Sequence, residues 1–254
     1  MTRAQPAEPL PVRREAAAIA EALRSGGALV LTAATGSGKT TQVPQIVLES
    51  GLSDGQVVVL EPRRLAARMT ARRVAQEMGC TLGEDVGYQT RFERVVGPRT
   101  RVRFVTEGVF LRQAQRDPSL AGIGCVLLDE FHERSVLADL ALGTVRAARE
   151  RRPGLRVAAM SATMDAAQAA QYLGARTVNA EGRSYPVSVR YEPGDAALPV
   201  WDRAGRAVRA LLDEVPEGDA LGAGHPAQRR AHRFHRAVDL ERPRHEDKRV
   251  AFGH

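Results

Sequence analysis

Aromatic side chains make up only 4% of the 254 residues, so the core must be built from Val, Leu, Ile and Ala. Cysteine is rarer still. Cys80 and Cys125 stand far apart, with no CxxC spacing and no paired histidine. This excludes a disulfide framework and a cysteine-held metal site; the two read as reduced core thiols of a cytosolic protein. Long hydrophobic runs are also lacking. The opening stretch, MTRAQPAEPLPVRREAAAIAEALRSGG, has no apolar run long enough for a signal peptide, and no segment reaches membrane-spanning length. The expectation is a soluble, cytoplasmic protein with no membrane contact.

What is present is a 43% hydrophobic chain with a formal net charge of +7 and a pI near 10.2. Such a surplus suits a polyanionic partner, and it equally suits a plain arginine-rich surface. Short apolar runs read as strands: ALVLTA (28–33), QVVVLE (56–61), VRFVT (102–106), CVLLD (125–129) and LRVAAMS (155–161). Continuous apolar runs are the pattern of strands covered on both faces. Helical segments lie between them, notably 63–78 and 134–150. The alternation predicts an α/β fold with a mostly parallel, doubly wound sheet, helices on both faces, and ligands beyond the carboxyl ends of its strands.

Three of these strands run directly into polar clusters. TAATGSGKTTQ (32–42) follows one strand and opens a helix, the context of a phosphate-binding loop. Gly36 and Gly38 let the backbone curl so that N–H groups converge, and the helix N-terminus adds positive potential. Lys39 would reach the phosphates of ATP and Thr40 would offer its hydroxyl to Mg²⁺. The pattern GxxxxGK[ST] asks for glycine where this chain has Ala33, a residue that tolerates ordinary strand geometry. A glycine-rich helix cap that binds nothing is the alternative. At the end of CVLLDEFHERS, Asp129 is placed to meet the metal and Glu130 to take a proton from an attacking water. Acidic pairs are common at strand ends, so this pair gains meaning only from the phosphate loop upstream.

With these motifs in order, the chain resembles the DEAH-type superfamily 2 RNA helicases, and within them the HrpB-like branch. TGSGKTT is similar to motif I, PRRLAAR (62–68) to motif Ia, TEGVF (106–110) to motif Ib, DEFHER (129–134) to motif II and SAT (161–163) to motif III. Phe131 replaces the usual Ala of DEAH; with LEPRRLAAR, Ala33 and EGRSYPV (181–187) it points to that branch. The resemblance implies a RecA-like lobe over about residues 11–192 that binds ATP and Mg²⁺. It implies that Thr35, Gly36, Ser37, Gly38, Lys39, Thr40 and Thr41 line the phosphates, and that Arg73 stacks on adenine. It implies Thr40 and Asp129 as metal contacts, Glu130, Lys39 and His132 as catalytic residues, and Ser161 and Thr163 as a link between hydrolysis and movement. Arg63, Arg64, Arg91, Thr106, Glu107 and Gly108, with the loop GYQTRFE (87–93), would face single-stranded RNA or another nucleic acid. Read without the family, Arg63, Arg64 and Arg73 are also plausible solvated helix charges, and SAT is a common turn.

The ends read differently. Residues 1–10 are expected to be flexible, and 193–218 to be a linker and helix toward a second RecA lobe whose arginine motif is not found in the chain. From about Gly218 the aliphatic strand pattern stops, and five of the six histidines follow it. A disordered tail over 219–254 is the expectation, a basic RNA-binding tail or a histidine-rich metal tract being the alternatives, and a reading-frame shift or a broken gene from about Ala220 the explanation favoured.

Overall fold

The computed structural model describes residues 9–162, 167–181, 187–189, 198–214 and 249–251. The chain divides into two compact units, Met1–Arg183 and Ser184–His254.

In the first unit, helices α1 (Pro11–Arg14) and α2 (Ala16–Gly26) lead into β1 (Ala28–Ala33), α3 (Lys39–Glu49), β2 (Gln56–Glu61) and α4 (Arg64–Glu77). Then follow β3 (Val86–Gln89), β4 (Arg94–Val95), β5 (Val102–Thr106), α5 (Glu107–Arg116) and β6 (Ile123–Leu128). A short 3-10 turn (Phe131–Glu133), α6 (Val136–Arg151), β7 (Arg156–Ser161), α7 (Ala167–Leu173) and β8 (Arg176–Ala180) complete it. The strands form one sheet in the order β4-β3-β5-β2-β6-β7-β1-β8, parallel throughout except for the β3/β4 hairpin. The expected α/β sheet is therefore what the chain forms.

Alternation along each strand divides the core in two. Leu29 and Leu31 of β1, Val57 and Val59 of β2, and Cys125 and Leu127 of β6 pack on one face with α2, α3 and α4. Their neighbours Ala28, Val30, Val58, Leu60, Val126 and Leu128 pack on the other with α5, α6 and α7. Period-two side-chain direction with helices on both faces explains why these strands carry apolar residues on both faces. Cys125 lies fully inside, and burial pushes its thiol up to about 12, as an inert core cysteine requires.

Three short strands escaped the apolar-run reading. VGYQ, part of the segment read as the loop 87–93, forms β3 because it pairs with β5. The two-residue β4 and the largely exposed edge strand β8 carry too few apolar residues to announce themselves. β7 lies between β6 and β1, so Ser161, the first residue of SAT, stands on the carboxyl rim of a central strand.

The second unit holds β9 (Val187–Val189), α8 (Val200–Glu214) and β10 (Arg249–Ala251), with β9 and β10 paired in parallel. Helix α8 is amphipathic and falls on the helix expected before residue 218. Apart from β10, the tail 219–254 lies outside the described residues, as does nearly all of the N-terminal segment 1–10.

Candidate active site

The parallel sheet brings the carboxyl ends of β1, β2, β3, β5, β6 and β7 to one rim, where TGSGKTT, PRRLAAR, TEGVF, DEFHER and Ser161 follow their strands. The loop after β1 turns on two left-handed glycines, Gly36 at φ 80° and Gly38 at φ 91°. Only glycine takes such angles freely. A Cβ at Gly38 would also come within 2.8 Å of Leu10, whose segment is tied to the loop by the Val12 N–H donating to the Ser37 carbonyl at 3.2 Å. Ala33 pairs with Ala180 of β8 and has no left-handed backbone, so the missing glycine imposes no strain there.

Lys39 opens α3 and is 5% exposed. Its Nζ donates to the carbonyls of Ala33 at 2.6 Å and Ala34 at 3.1 Å. Burial lowers its pKa, while the charges of Asp129 and Glu130 oppose that shift. Asp129, 4% exposed, follows β6; its N–H donates to the Leu60 carbonyl at 3.0 Å and its Oδ1 accepts from the Glu130 N–H at 2.9 Å. The nearby Thr40 side chain acts to lower the pKa of this carboxylate. The phosphate-type loop and the acidic pair, ninety positions apart in sequence, thus converge, with one strand (β7) between their parent strands.

Glu130 and Arg134 both sit in the left-handed region, at φ 49° and φ 47°. Non-glycine residues there cost on the order of 1 kcal/mol and persist where surrounding contacts over-determine them. The two reversals bracket the 3-10 turn and are held by specific partners. His132 stands between elements: Nδ1 accepts from the Ala162 N–H at 3.3 Å and Nε2 lies 3.4 Å from Glu130 Oε2. His132 therefore bridges motif II to the segment just beyond Ser161. Thr163 lies outside the described residues. Phe131 turns into the core on the α5–α6 side, with the Arg134 guanidinium 5.4 Å from its ring centre. A residue larger than Ala in this position is thus a packing element.

One member of this cluster was missed from sequence. Glu61 ends β2 at 2% exposure, paired with Thr106 of β5 and one residue past Leu60, whose carbonyl accepts from Asp129. Burial first, then the charges of Asp129 and Glu130, push its carboxyl up to about 8, against a hydrogen bond from Thr70. Its Oε1 has no hydrogen-bond partner. Burial likewise pushes Asp129 up to about 6. The available signal was that QVVVLE ends as CVLLD does, with one acid closing an apolar strand.

These residues fit a magnesium nucleotide. Crowded, desolvated carboxylates favour an added cation, and the loop supplies backbone donors, a buried lysine and a Ser37 hydroxyl that is buried without a partner. Among the described residues, no group of three or more His, Cys, Asp or Glu is set to hold a metal by itself. Mg²⁺ takes one or two carboxylates and completes its shell with phosphates and water.

Of the remaining predicted residues, Arg63, Arg64, Arg91, Thr106 and Gly108 follow the carboxyl ends of β2, β3 and β5, while Arg73 lies more than two turns into α4. Arg63 reaches Glu133 at 2.7 Å, both exposed. Arg64 and Arg91 lie near the Phe92 ring. Arg73 is exposed on α4 and donates to Glu77 at 2.7 Å; the same Glu77 accepts from Gln42 and Gln45 of α3. Thr106 and Gly108 flank Glu107, which is 7% exposed and accepts from Ser135 Oγ at 2.9 Å. The Glu107 side chain is thereby committed inward, where it orients the residue whose Oγ caps α6 by accepting from the Ala138 N–H. Thr35 and Gly36 are exposed, Ser37 is buried, and the Thr41 hydroxyl lies 3.5 Å from the Gly38 carbonyl.

Comparison with known proteins decides the family. The DEAD/DEAH box helicase family matches residues 13–171, more than half of the chain. The chain belongs to the DEAD/DEAH box helicase family. Among relatives, it is 44% identical to the ATP-dependent RNA helicase HrpB of Escherichia coli (strain K12) over 209 residues, 81% of this chain and 25% of that protein. It is 43% identical to the human ATP-dependent RNA helicase DHX33 over 189 residues, 72% of this chain and 27% of that one. The crystal structure of Escherichia coli DEAH/RHA helicase HrpB superposes with a TM-score of 0.77 at 42% identity, covering 81% of this chain and 26% of that one. This helicase-family chain thus spans about a quarter of the length of these relatives, and its lobe is the first of theirs. No helix among the described residues is long and apolar enough to cross a membrane.

Proposed function

We propose that this chain is the ATP-binding lobe of an ATP-dependent RNA helicase, holding Mg·ATP at the carboxyl rim and single-stranded RNA farther along it. The observation that carries this reading is the burial of Lys39 and Asp129 at the same rim, close enough that the charge of each acts on the other. It joins the phosphate loop and the acidic pair into one site.

In this reading Gly36, Ser37, Gly38 and Thr41 cradle the phosphates with Thr35 at the lip, and Lys39 exchanges its two loop carbonyls for phosphate oxygens. Thr40 and Asp129 hold Mg²⁺, which would neutralise charge building on the transferred phosphoryl group. Glu130, held at an unusual backbone angle, accepts the proton of the attacking water. His132 relays the state of Glu130 to residues 161–163 through its bond with Ala162. Arg73 meets the base. Arg63, Arg64, Arg91, Thr106 and Gly108 contact the RNA backbone, Glu107 serving as support beneath them. An arginine finger in P-loop enzymes contributes about 10³–10⁵ in rate. No arginine finger is assigned among the described residues of this lobe, so the lobe by itself is expected to turn over ATP slowly.

The test is ATP turnover by the purified chain with and without single-stranded RNA, beside Lys39→Ala and Glu130→Gln. RNA-stimulated turnover lost in both variants supports the reading. Saturable Mg·ATP binding without turnover in the parent chain would instead favour an inactive nucleotide- and RNA-binding fragment. No binding at all would end both.

A further inference from the structure

We propose that Phe92 is a base-stacking platform for one unpaired nucleotide of the nucleic-acid strand, the base taking the place that the Arg64 and Arg91 guanidiniums hold over the ring and the arginines turning to the adjoining phosphates. The inference rests on the nucleic-acid reading above and deepens it.

Phe92 sits at the tip of the β3/β4 hairpin. Because β3 runs parallel to β5, that tip projects past the same carboxyl rim as the phosphate loop. Its exposure is 72%, whereas Phe104, Phe110 and Phe131 are buried. In a chain this poor in aromatics, a ring left in water stands out. The Arg64 guanidinium, at the start of α4, lies 5.6 Å from the ring centre, and that of Arg91 lies 5.3 Å away. Both guanidiniums are exposed.

The tip is built to hold still. The Thr90 N–H donates to the Glu93 carbonyl at 2.8 Å. The Glu93 side chain accepts from the Tyr88 hydroxyl at 3.0 Å and pairs with Arg68 of α4 at 3.7 Å. Below it, the buried Arg103 of β5 donates to Gln89 at 3.3 Å and to Gln113 at 2.7 Å. A ring fixed by its neighbours loses little freedom on binding a flat partner. Any base offers a π face, so stacking is tolerant of sequence, and the two arginines add charge for the adjoining phosphates. Only an unstacked base can use the ring, so the device selects single strands. An acidic protein segment would use the arginines but has no flat group for the ring.

The experiment measures binding of the full chain to a fluorescent single-stranded RNA, to an oligomer of equal phosphate count whose central nucleotides are abasic, and to the RNA in competition with polyglutamate. Phe92→Ala is expected to weaken the intact RNA between about fivefold and a hundredfold, the range for one base on one ring, and to leave the abasic oligomer within about twofold. Phe92→Trp retains the affinity and Phe92→Leu does not. A 2-aminopurine base in the RNA is quenched by the parent chain and by Phe92→Trp alone. Equal losses for both oligomers, or no loss for either, would overturn the stacking role and leave the nucleic-acid reading standing. Polyglutamate competition as strong as RNA, and dependent on Phe92, would overturn it in favour of an acidic protein partner. Failure of the parent chain to bind either oligomer would remove the underlying reading as well.

Discussion

The two ends of one sheet rim differ in how they hold charge. At the β1/β6 end, Lys39 and Asp129 are almost wholly buried, and each depends on the other's field. At the β2/β3 end, Arg63 is exposed and its pairing with Glu133 is that of two wet side chains. The first arrangement is costly to break and responds to pH and to an added cation. The second is weak in itself, free to change partners, and screened by salt. A site that grips a compact triphosphate gains from desolvation. A site that a strand slides across needs contacts that release. Glu61 is placed where the two ends meet, paired with Thr106 on one side and adjoining Asp129 on the other.

The contrast can be broken in order of expected effect. Glu130→Gln should reduce RNA-stimulated turnover by about 10²–10⁴, the usual value of one general base, while Mg·ATP binding survives. Equal loss of binding and turnover would make Glu130 a ligand rather than a base. Lys39→Ala should weaken binding of a fluorescent ATP analogue by about a hundredfold or more, in keeping with roughly 2–5 kcal/mol for a buried charge contact. A loss no larger than that of an exposed arginine would erase the distinction between the two ends.

Glu61→Gln sharpens the comparison through pH. Its carboxyl is held near 8 against an ordinary 4.5, so the folded chain keeps this proton more tightly than the unfolded chain. The resulting stability is complete below about pH 4.5 and is lost as pH rises through about 8. Glutamine keeps the shape without the charge. Thermal melts of the variant should therefore match the parent near pH 5 and exceed it near pH 8 by about 1–3 kcal/mol. A gain that does not vary with pH would show that Glu61 is charged throughout.

The smallest effect belongs to Arg63→Ala. Stability should move by less than about 0.5 kcal/mol, since exposed ion pairs contribute little. The dependence of log affinity on log salt for single-stranded RNA should become shallower by about 0.7, the value of one phosphate contact on a single strand. An unchanged slope would remove Arg63 from the nucleic-acid surface.

Much of this was legible in sequence because it is local. Five apolar runs marked the strands of the sheet interior, and TGSGKTT marked the loop, since glycine spacing dictates where a backbone may turn left-handed. The short strands were not legible. VGYQ becomes a strand only by pairing with β5, and RTVNA only by lying against β1. Glu107 was placed among nucleic-acid contacts by its motif, yet Ser135 of a distant segment draws its carboxylate inward. Phe92 lay inside a quoted loop without being singled out, because exposure is a property of neighbours.

The sequence by itself determined an α/β chain with a phosphate-type loop, a strand-end acidic pair and membership of an identifiable helicase family. Those features follow from backbone angles and side-chain periodicities that act over a few residues. Only the tertiary structure decided that buried Lys39 and Asp129 share one rim, that Glu61 is a third carboxyl whose charge state answers to Asp129 and Glu130, and that two arginines from different elements lie over one exposed ring. Those facts depend on strand order, which arises when helices cover both faces of the sheet and distant segments are forced onto a common rim.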